Sequence, residues 1–193
     1  MNSTVRTITI DRHLAAAEFR GAMRHLPGGV SVITAGRAQE ITGMTVTSVS
    51  SLSVEPPSLI VSINREASSW PLIKRYGSFG VNILGADQTD IAERFSGKGG
   101  LKGAERFAGL PLIALVSGVP LLAGALAAID CEIEDIIERH SHALVIGRVL
   151  DIRALRRSAA LAYWHGEYVA VDRDEDPVGT VEVSLSGMRA PER

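Results

Sequence analysis

The chain has 193 residues, enough to bury a core as one domain. Its hydrophobic fraction of 46% is ordinary for a folded protein, and a formal charge of -2 gives no general attraction to nucleic acid or to an anionic membrane, so neither partner is expected. A single cysteine, Cys131, cannot close an internal disulfide, and with no signal-peptide pattern and no apolar run of membrane length the expected compartment is the reducing cytoplasm.

In chain order, "LAAAEFRGAMRHL" places Phe19, Ala22, Met23 and Leu26 at helical spacing before the break at Pro27-Gly28-Gly29. Three strands are predicted next. "GVSVITAG" is rich in β-branched residues, "MTVTSVSSL" alternates, and "SLIVSIN" starts beyond Pro56-Pro57, which suits a turn rather than a central strand. Ser69, Trp70 and Pro71 open a short helix ending near Gly77, followed by the strand "FGVNIL" and the helix "DQTDIAERF", with Asp87 as its expected cap. The Gly-rich loop "SGKGGLKG" comes next. Beyond Ala125, Ala127, Ile129, Cys131 and Ile133 alternate with Asp130, Glu132 and Glu134, which predicts a long strand with one wet face. "HALVIGRVLDI" reads as its antiparallel neighbour, "EYVAVD" closes a core spanning about 16–171, and 174–193 reads as a polar C-terminal tail.

Many short antiparallel strands with few helices predict a mainly β fold, a barrel with peripheral helices. The glycines of "SGKGGLKG" follow a helix and lack the G-x-G-x-x-G spacing, so a Rossmann site is not expected. That loop also lacks the first glycine and the Ser/Thr of a Walker loop. No G-x-S-x-G elbow and no Cys-x-x-Cys pair appears.

The chemistry sits in the hydroxyls of "ITGMTVTSVSSLSVEPPSLIVSINREASS". On one strand Thr45 and Thr47 share the face opposite Met44 and Val46, and Ser62 and Asn64 repeat the pattern. The plain alternative for any one of them is a strand former facing water. Together, uncharged donors and acceptors along a groove, followed by "NREASS" with Arg65 and two serines around an anion, suit a flat polar heterocycle carrying a phosphate. Flavin mononucleotide has both parts.

"FRGAMRHLPGGVSVITA", "GMTVTSVSSLSVEPPSLIVSINREASS", "FGVNIL", "AERFSG" and "HALVIGRV" occur in an order and at separations that resemble the flavin reductase-like, split-barrel FMN-binding family. Within that family the chain looks most like the small reductase components that supply reduced flavin to two-component monooxygenases. The resemblance implies a homodimer of split β-barrels, each holding FMN or FAD near the subunit interface and taking hydride from NADH or NADPH, with a separate oxygenase as partner. It places Thr45, Thr47 and Ser48 on the ring and ribityl chain, and Ser62, Asn64, Ser68 and Ser69 around the ribityl hydroxyls and phosphate. Asn82, Phe95 and Ser96 match flavin-proximal positions, and Lys102 is a phosphate candidate whose alternative is a solvated basic loop. The apolar stretch "LPLIALVSGVPLLAGALAA" exceeds the need of one small barrel, which also predicts a dimer.

Where the family carries Gly-Asp-His, this chain has His140-Ser141-His142. His142 keeps the position that the resemblance assigns to the nicotinamide side, and is the expected catalytic histidine. The alternative is that both histidines cap a strand end. On a strand, H-x-H would put both imidazoles on one face, but a third ligand such as His165 is conjecture and no metal site is expected. Against the reductase stands a non-catalytic FMN-binding module, a sensor, store or electron-transfer protein.

Overall fold

The computed structural model describes residues 15–155 and 159–172, so the tail expected at 174–193 lies outside the described residues. Helix α1 (Ala16–Met23) leads into β1 (Gly28–Gly29), β2 (Ser31–Arg37), β3 (Glu40–Val46), β4 (Val49–Val54) and β5 (Pro57–Asn64). Helix α2 (Trp70–Tyr76), β6 (Ser78–Ile83) and α3 (Thr89–Ser96) follow, then a 3-10 helix over Gly103–Phe107 and the short strands β7 (Leu112–Ile113) and β8 (Leu121–Leu122). The long hairpin β9 (Ala127–Arg139) and β10 (His142–Ala154) precedes a smaller one, β11 (Ala160–Trp164) and β12 (Glu167–Val171).

Seven strands form one antiparallel sheet in the order β3-β2-β6-β9-β10-β5-β4. All seven send side chains to the same core: Ile33 and Ala35 from β2, Val61 and Ile63 from β5, Phe79 and Val81 from β6, Cys131 from β9, and Ala143 and Val145 from β10 are buried there. Met44 and Val46 of one edge strand and Val49 of the other pack against this cluster. A flat sheet cannot bring both edges to one core. The sheet therefore curls into a barrel whose seam lies between β3 and β4, the mainly β, split-barrel architecture expected from the sequence. Inside, Gly147 of β10 lies against Phe79, and a Cβ there would stand 2.5 Å from the Phe79 Cζ.

Helix α2 plugs one end of the barrel with Trp70 and Ile73, each worth roughly 1.5–3 kcal/mol of burial. Ser69 is its N-cap residue, and Gly77 ends it in the left-handed region at φ 62°. A second core holds Val30, Leu84, Phe95, Phe107, Leu122 and Leu161, and joins α3 to the small sheet of β1, β11 and β12.

Several expectations are corrected. The "MTVTSVSSL" run is two strands, broken at Thr47-Ser48, and the proline pair is divided, with Glu55-Pro56 as a two-residue turn and Pro57 as the first residue of β5. Gln88, not Asp87, stands at the N-cap of α3; its side chain accepts from the Gly85 N–H and donates to the Gly124 carbonyl. Asp130 does not face water. It is fully buried in β9, where its carboxylate accepts from the Ser117 N–H at 2.7 Å and the Ser117 hydroxyl at 2.5 Å. The apolar stretch over 110–128 is divided: Val119, Leu121, Leu122, Ala125 and Ala128 are buried within this chain, while Leu112 and Val116 are exposed.

Candidate functional site

Between the barrel seam and the small sheet lies a cavity of about 410 Å³. Its wall is built from five places in the sequence. The Thr45 to Ser48 segment supplies one side, Ser62 and Asn64 of β5 with His142 of β10 a second, and Tyr163 and Tyr168 a third, while Ser96 at the end of α3 closes a corner. Ser62 and Asn64 reach it because Val61 and Ile63 point into the core, which turns the alternate residues of β5 outward.

The hydroxyls of this wall are not equivalent. Thr45 donates to the Ala92 carbonyl of α3 at 2.6 Å, so its proton is used within the fold. Ser48 donates to the Ser62 carbonyl at 2.8 Å, pinning the break between β3 and β4 onto β5, and Ser96 donates to the Glu93 carbonyl at 2.7 Å. Asn64 accepts from the Glu66 N–H at 3.0 Å through its Oδ1, which leaves its amide hydrogens to the cavity. Thr47 is exposed and its hydroxyl makes no hydrogen bond among the described residues. Gly28 stands beside it: a Cβ there would come 2.8 Å from the Thr47 Cβ, so a glycine is what lets β1 pass this close.

His142 opens β10, and its Nδ1 lies 2.9 Å from the Ser141 hydroxyl. His140 is elsewhere. It sits in the β9–β10 turn at φ 52°, so the two imidazoles do not share a strand face, and among the described residues no group of three or more His, Cys, Asp or Glu side chains could hold a metal. Tyr163 and Tyr168 face each other across β11 and β12 with ring centroids 5.2 Å apart. Burial pushes the Tyr168 phenol up, with the neighbouring Tyr163 and Glu93 adding to the shift, so Tyr168 keeps its proton and remains a donor.

Seven of the residues singled out from the sequence therefore line one cavity: Thr45, Thr47, Ser48, Ser62, Asn64, Ser96 and His142. Ser68, Ser69, Asn82, Phe95 and Lys102 do not line it. Asn82 has no exposed surface; its amide donates to the Val32 carbonyl at 2.9 Å and to the Thr34 hydroxyl, and its oxygen accepts from the Leu122 N–H at 2.7 Å. Phe95 is in the second core, edge-on to Phe107. Ser69 is buried with an unpaired hydroxyl, while Ser68 and Lys102 are exposed. Arg65, expected near an anion, instead pairs with Glu138 at 3.3 Å and donates to the His140 carbonyl. The two tyrosines were missed by sequence reasoning. Their signal was an aromatic pair flanking His165-Gly166, in a chain that is 5% aromatic.

Flavin reductase like domain is the description of the family that matches residues 23–172. The chain belongs to that family. Among relatives of this flavin reductase-like chain, the FMN reductase (NADH) RutF of Cronobacter sakazakii is 33% identical over 155 residues, covering 80% of this chain and 92% of that protein. HsaB of Rhodococcus jostii, the reductase subunit of a flavin-dependent monooxygenase, is 31% identical and covers 81% of this chain and 78% of its own. Among solved structures, BorF, the flavin reductase component of a bacterial two-component tryptophan halogenase, superposes with a TM-score of 0.75 at 28% identity, covering 82% of this chain and 99% of that one.

The uncharged donors of the cavity fit the polar ring and hydroxylated chain of a flavin. Among the described residues, no carboxylate lines it to repel a ring that gains negative charge on reduction.

Proposed function

We infer that this protein is an NAD(P)H-dependent flavin reductase that uses NADH or NADPH to reduce FMN or FAD and releases the reduced flavin to a separate oxygenase. The observation that carries this reading is the convergence of Thr47, Ser48, Ser62, Asn64 and His142 on one uncharged cavity in a flavin reductase-like chain. The named activity of RutF supports the substrates, and HsaB and BorF support the division of labour with a second enzyme.

When bound, the flavin supplies the hydride-accepting ring. The residues of the chain bind and orient. Thr47 offers a hydroxyl with no partner among the described residues, and the Asn64 amide and Ser62 add donors along β5. His142 stands on the hydride-donor side, with its Nδ1 held by Ser141 and its Nε2 left for a carboxamide or phosphate. Thr45, Asn82 and Phe95 serve by fixing the strands and helix that carry the wall. Two copies form the working unit. Leu52 and Val54, 53% and 88% exposed on the edge strand β4, support an interface there that shields the open side of the cavity. A cytoplasmic location matches this chemistry, since the hydride donors and reduced thiols are kept there; among the described residues no helix is long and apolar enough to cross a membrane.

A steady-state assay crossing NADH and NADPH with FMN, FAD and riboflavin tests the reading. Nicotinamide oxidation that depends on added flavin is the expected result. A protein that holds FMN tightly and ignores both nicotinamides would instead be a binding module.

A further inference from the structure

The hydroxyl-lined cavity does not end at the barrel seam. Beyond Thr47 and Ser48 it meets a larger cavity of about 650 Å³, and the two share Thr47, Ser48 and Tyr163 as a common wall. One extended molecule can therefore lie in both.

The chemistry of the larger cavity differs. Arg20 of α1 and Arg24, its C-cap residue, line it four residues apart and so on one face, and among the described residues no Asp or Glu belongs to its wall. Among the described residues neither guanidinium has a hydrogen bond or an ion pair. Arg65, Arg75, Arg106 and Arg148, by contrast, are engaged by carboxylates or carbonyls. Two unsatisfied planar forks on one wall suit adjacent phosphates, which arginine binds in bidentate fashion.

Another part of the wall is aromatic and held in place. Trp164 donates its indole N–H to the His25 carbonyl at 3.3 Å, and the His165 N–H donates to the Arg24 carbonyl at 3.1 Å, so the β11–β12 turn is tied to the end of α1. The His165 ring stands edge-on to both Trp164 and His25, at 4.5 and 4.6 Å between centroids. Trp164 keeps 45% of its surface exposed, leaving room for a base to stack. At Gly29, on the cavity wall, an added Cβ would meet no atom within 4 Å.

We propose that this second cavity holds the adenosine diphosphate arm that nicotinamide dinucleotides and FAD have in common, with Arg20 and Arg24 on the phosphates and Trp164 against the adenine. The inference rests on the reading above that the adjoining cavity takes the flavin ring. It adds to that reading a specific site for the part of the molecule that FMN lacks.

The test uses the full chain and its Arg20→Gln/Arg24→Gln double variant, titrated calorimetrically with ADP-ribose, FMN and FAD. Helix α1 buries none of its residues, so the variant is expected to fold, which circular dichroism checks. ADP-ribose should bind the parent protein, and its Kd should weaken at least tenfold in the variant, while that of FMN moves by less than threefold. If the arm belongs to FAD, the affinity for FAD falls toward that for FMN. If it belongs to the hydride donor, the KM for NADH rises at least tenfold with FMN as acceptor and the FAD affinity holds. Gly29→Leu fills the cavity without altering charge and should also weaken ADP-ribose. Absent binding of ADP-ribose to the parent, or equal binding to the parent and both variants, overturns the site. Failure of FMN to bind the parent would overturn the flavin reading instead, whatever ADP-ribose does.

Discussion

His142 and Asn64 stand directly opposite each other in the antiparallel pairing of β10 with β5. Opposed residues project to the same face, so the imidazole and the carboxamide form one edge of the cavity, with Ser62 next along the same face of β5. Their commitments within the fold differ. Asn64 holds the Glu66 N–H and so shapes the turn after β5, whereas His142 bonds only the adjacent Ser141 hydroxyl among the described residues.

That difference predicts a lopsided variant. His142→Ala should lower kcat/KM for NAD(P)H about ten- to a hundredfold, roughly 1.4 to 2.7 kcal/mol, and change the flavin Kd by less than about threefold. Stopped-flow reduction at varied NADH, beside a flavin titration, measures both. Equal loss of the two would make His142 a strand-end residue.

Thr45 and Thr47 provide a second contrast, two residues apart. Thr45→Val leaves the Ala92 carbonyl without its donor and should lower stability by about 1 kcal/mol. Thr47→Val removes a hydroxyl that no described residue uses, so the melting temperature should hold while flavin binding weakens by about 1 kcal/mol; combined with Asn64→Ala the loss should reach ~1 to 3 kcal/mol. Thermal melts and flavin titrations of the three proteins separate these outcomes.

The cavity wall was legible in the sequence where its pattern is local. Ser62 and Asn64 alternate with Val61 and Ile63 on one strand, and period two alone sorts them onto outer and inner faces. Thr47 and Ser48 were legible as hydroxyls but not as a chain break, because the strand is interrupted by the geometry of the seam rather than by a glycine or proline. The hydrogen bonds of Asn82 and the burial of Asp130 were not legible, for a shared reason. A polar residue in an alternating strand reads as exposed, or as facing a ligand, unless its partner is known, and the partners here lie far along the chain: Val32 and Leu122 for Asn82, Ser117 for Asp130. The tyrosine side of the cavity depends on β11 pairing with both β1 and β12, a long-range contact that local periodicity does not encode.

Asn82 supplies a prediction of the opposite kind. Asn82→Ala strips the Val32 carbonyl and the Leu122 N–H of buried partners at once, and should lower unfolding free energy by about 2 to 3 kcal/mol. Urea denaturation followed by tryptophan fluorescence reads this. A loss of flavin affinity with unchanged stability would move Asn82 from the framework to the binding site.

Cys131 yields the pH dependence. Its thiol is buried among Phe79, Gly147 and the rest of the barrel core, and burial, reinforced by the neighbouring Asp130 carboxylate, pushes its pKa up from 9.0 to about 12. In the unfolded chain the thiol loses its proton near pH 9, while in the folded chain it keeps it until about 12. Between those values the folded state binds more protons, so the contribution of Cys131 to stability is complete below about pH 9 and is lost as pH rises toward 12. Over that window stability should fall by up to about 1.4 kcal/mol per pH unit from this group alone. Cys131→Ala, which opens a small cavity and should cost about 1 kcal/mol at neutral pH, removes the thiol and so should flatten the alkaline slope. The same burial makes the native thiol a poor nucleophile, so Ellman's reagent at pH 8 should label it at the rate of unfolding and not before. Rapid labelling of the folded protein, or an alkaline slope identical in the alanine variant, would show that Cys131 is open to solvent and that some other group governs the high-pH loss.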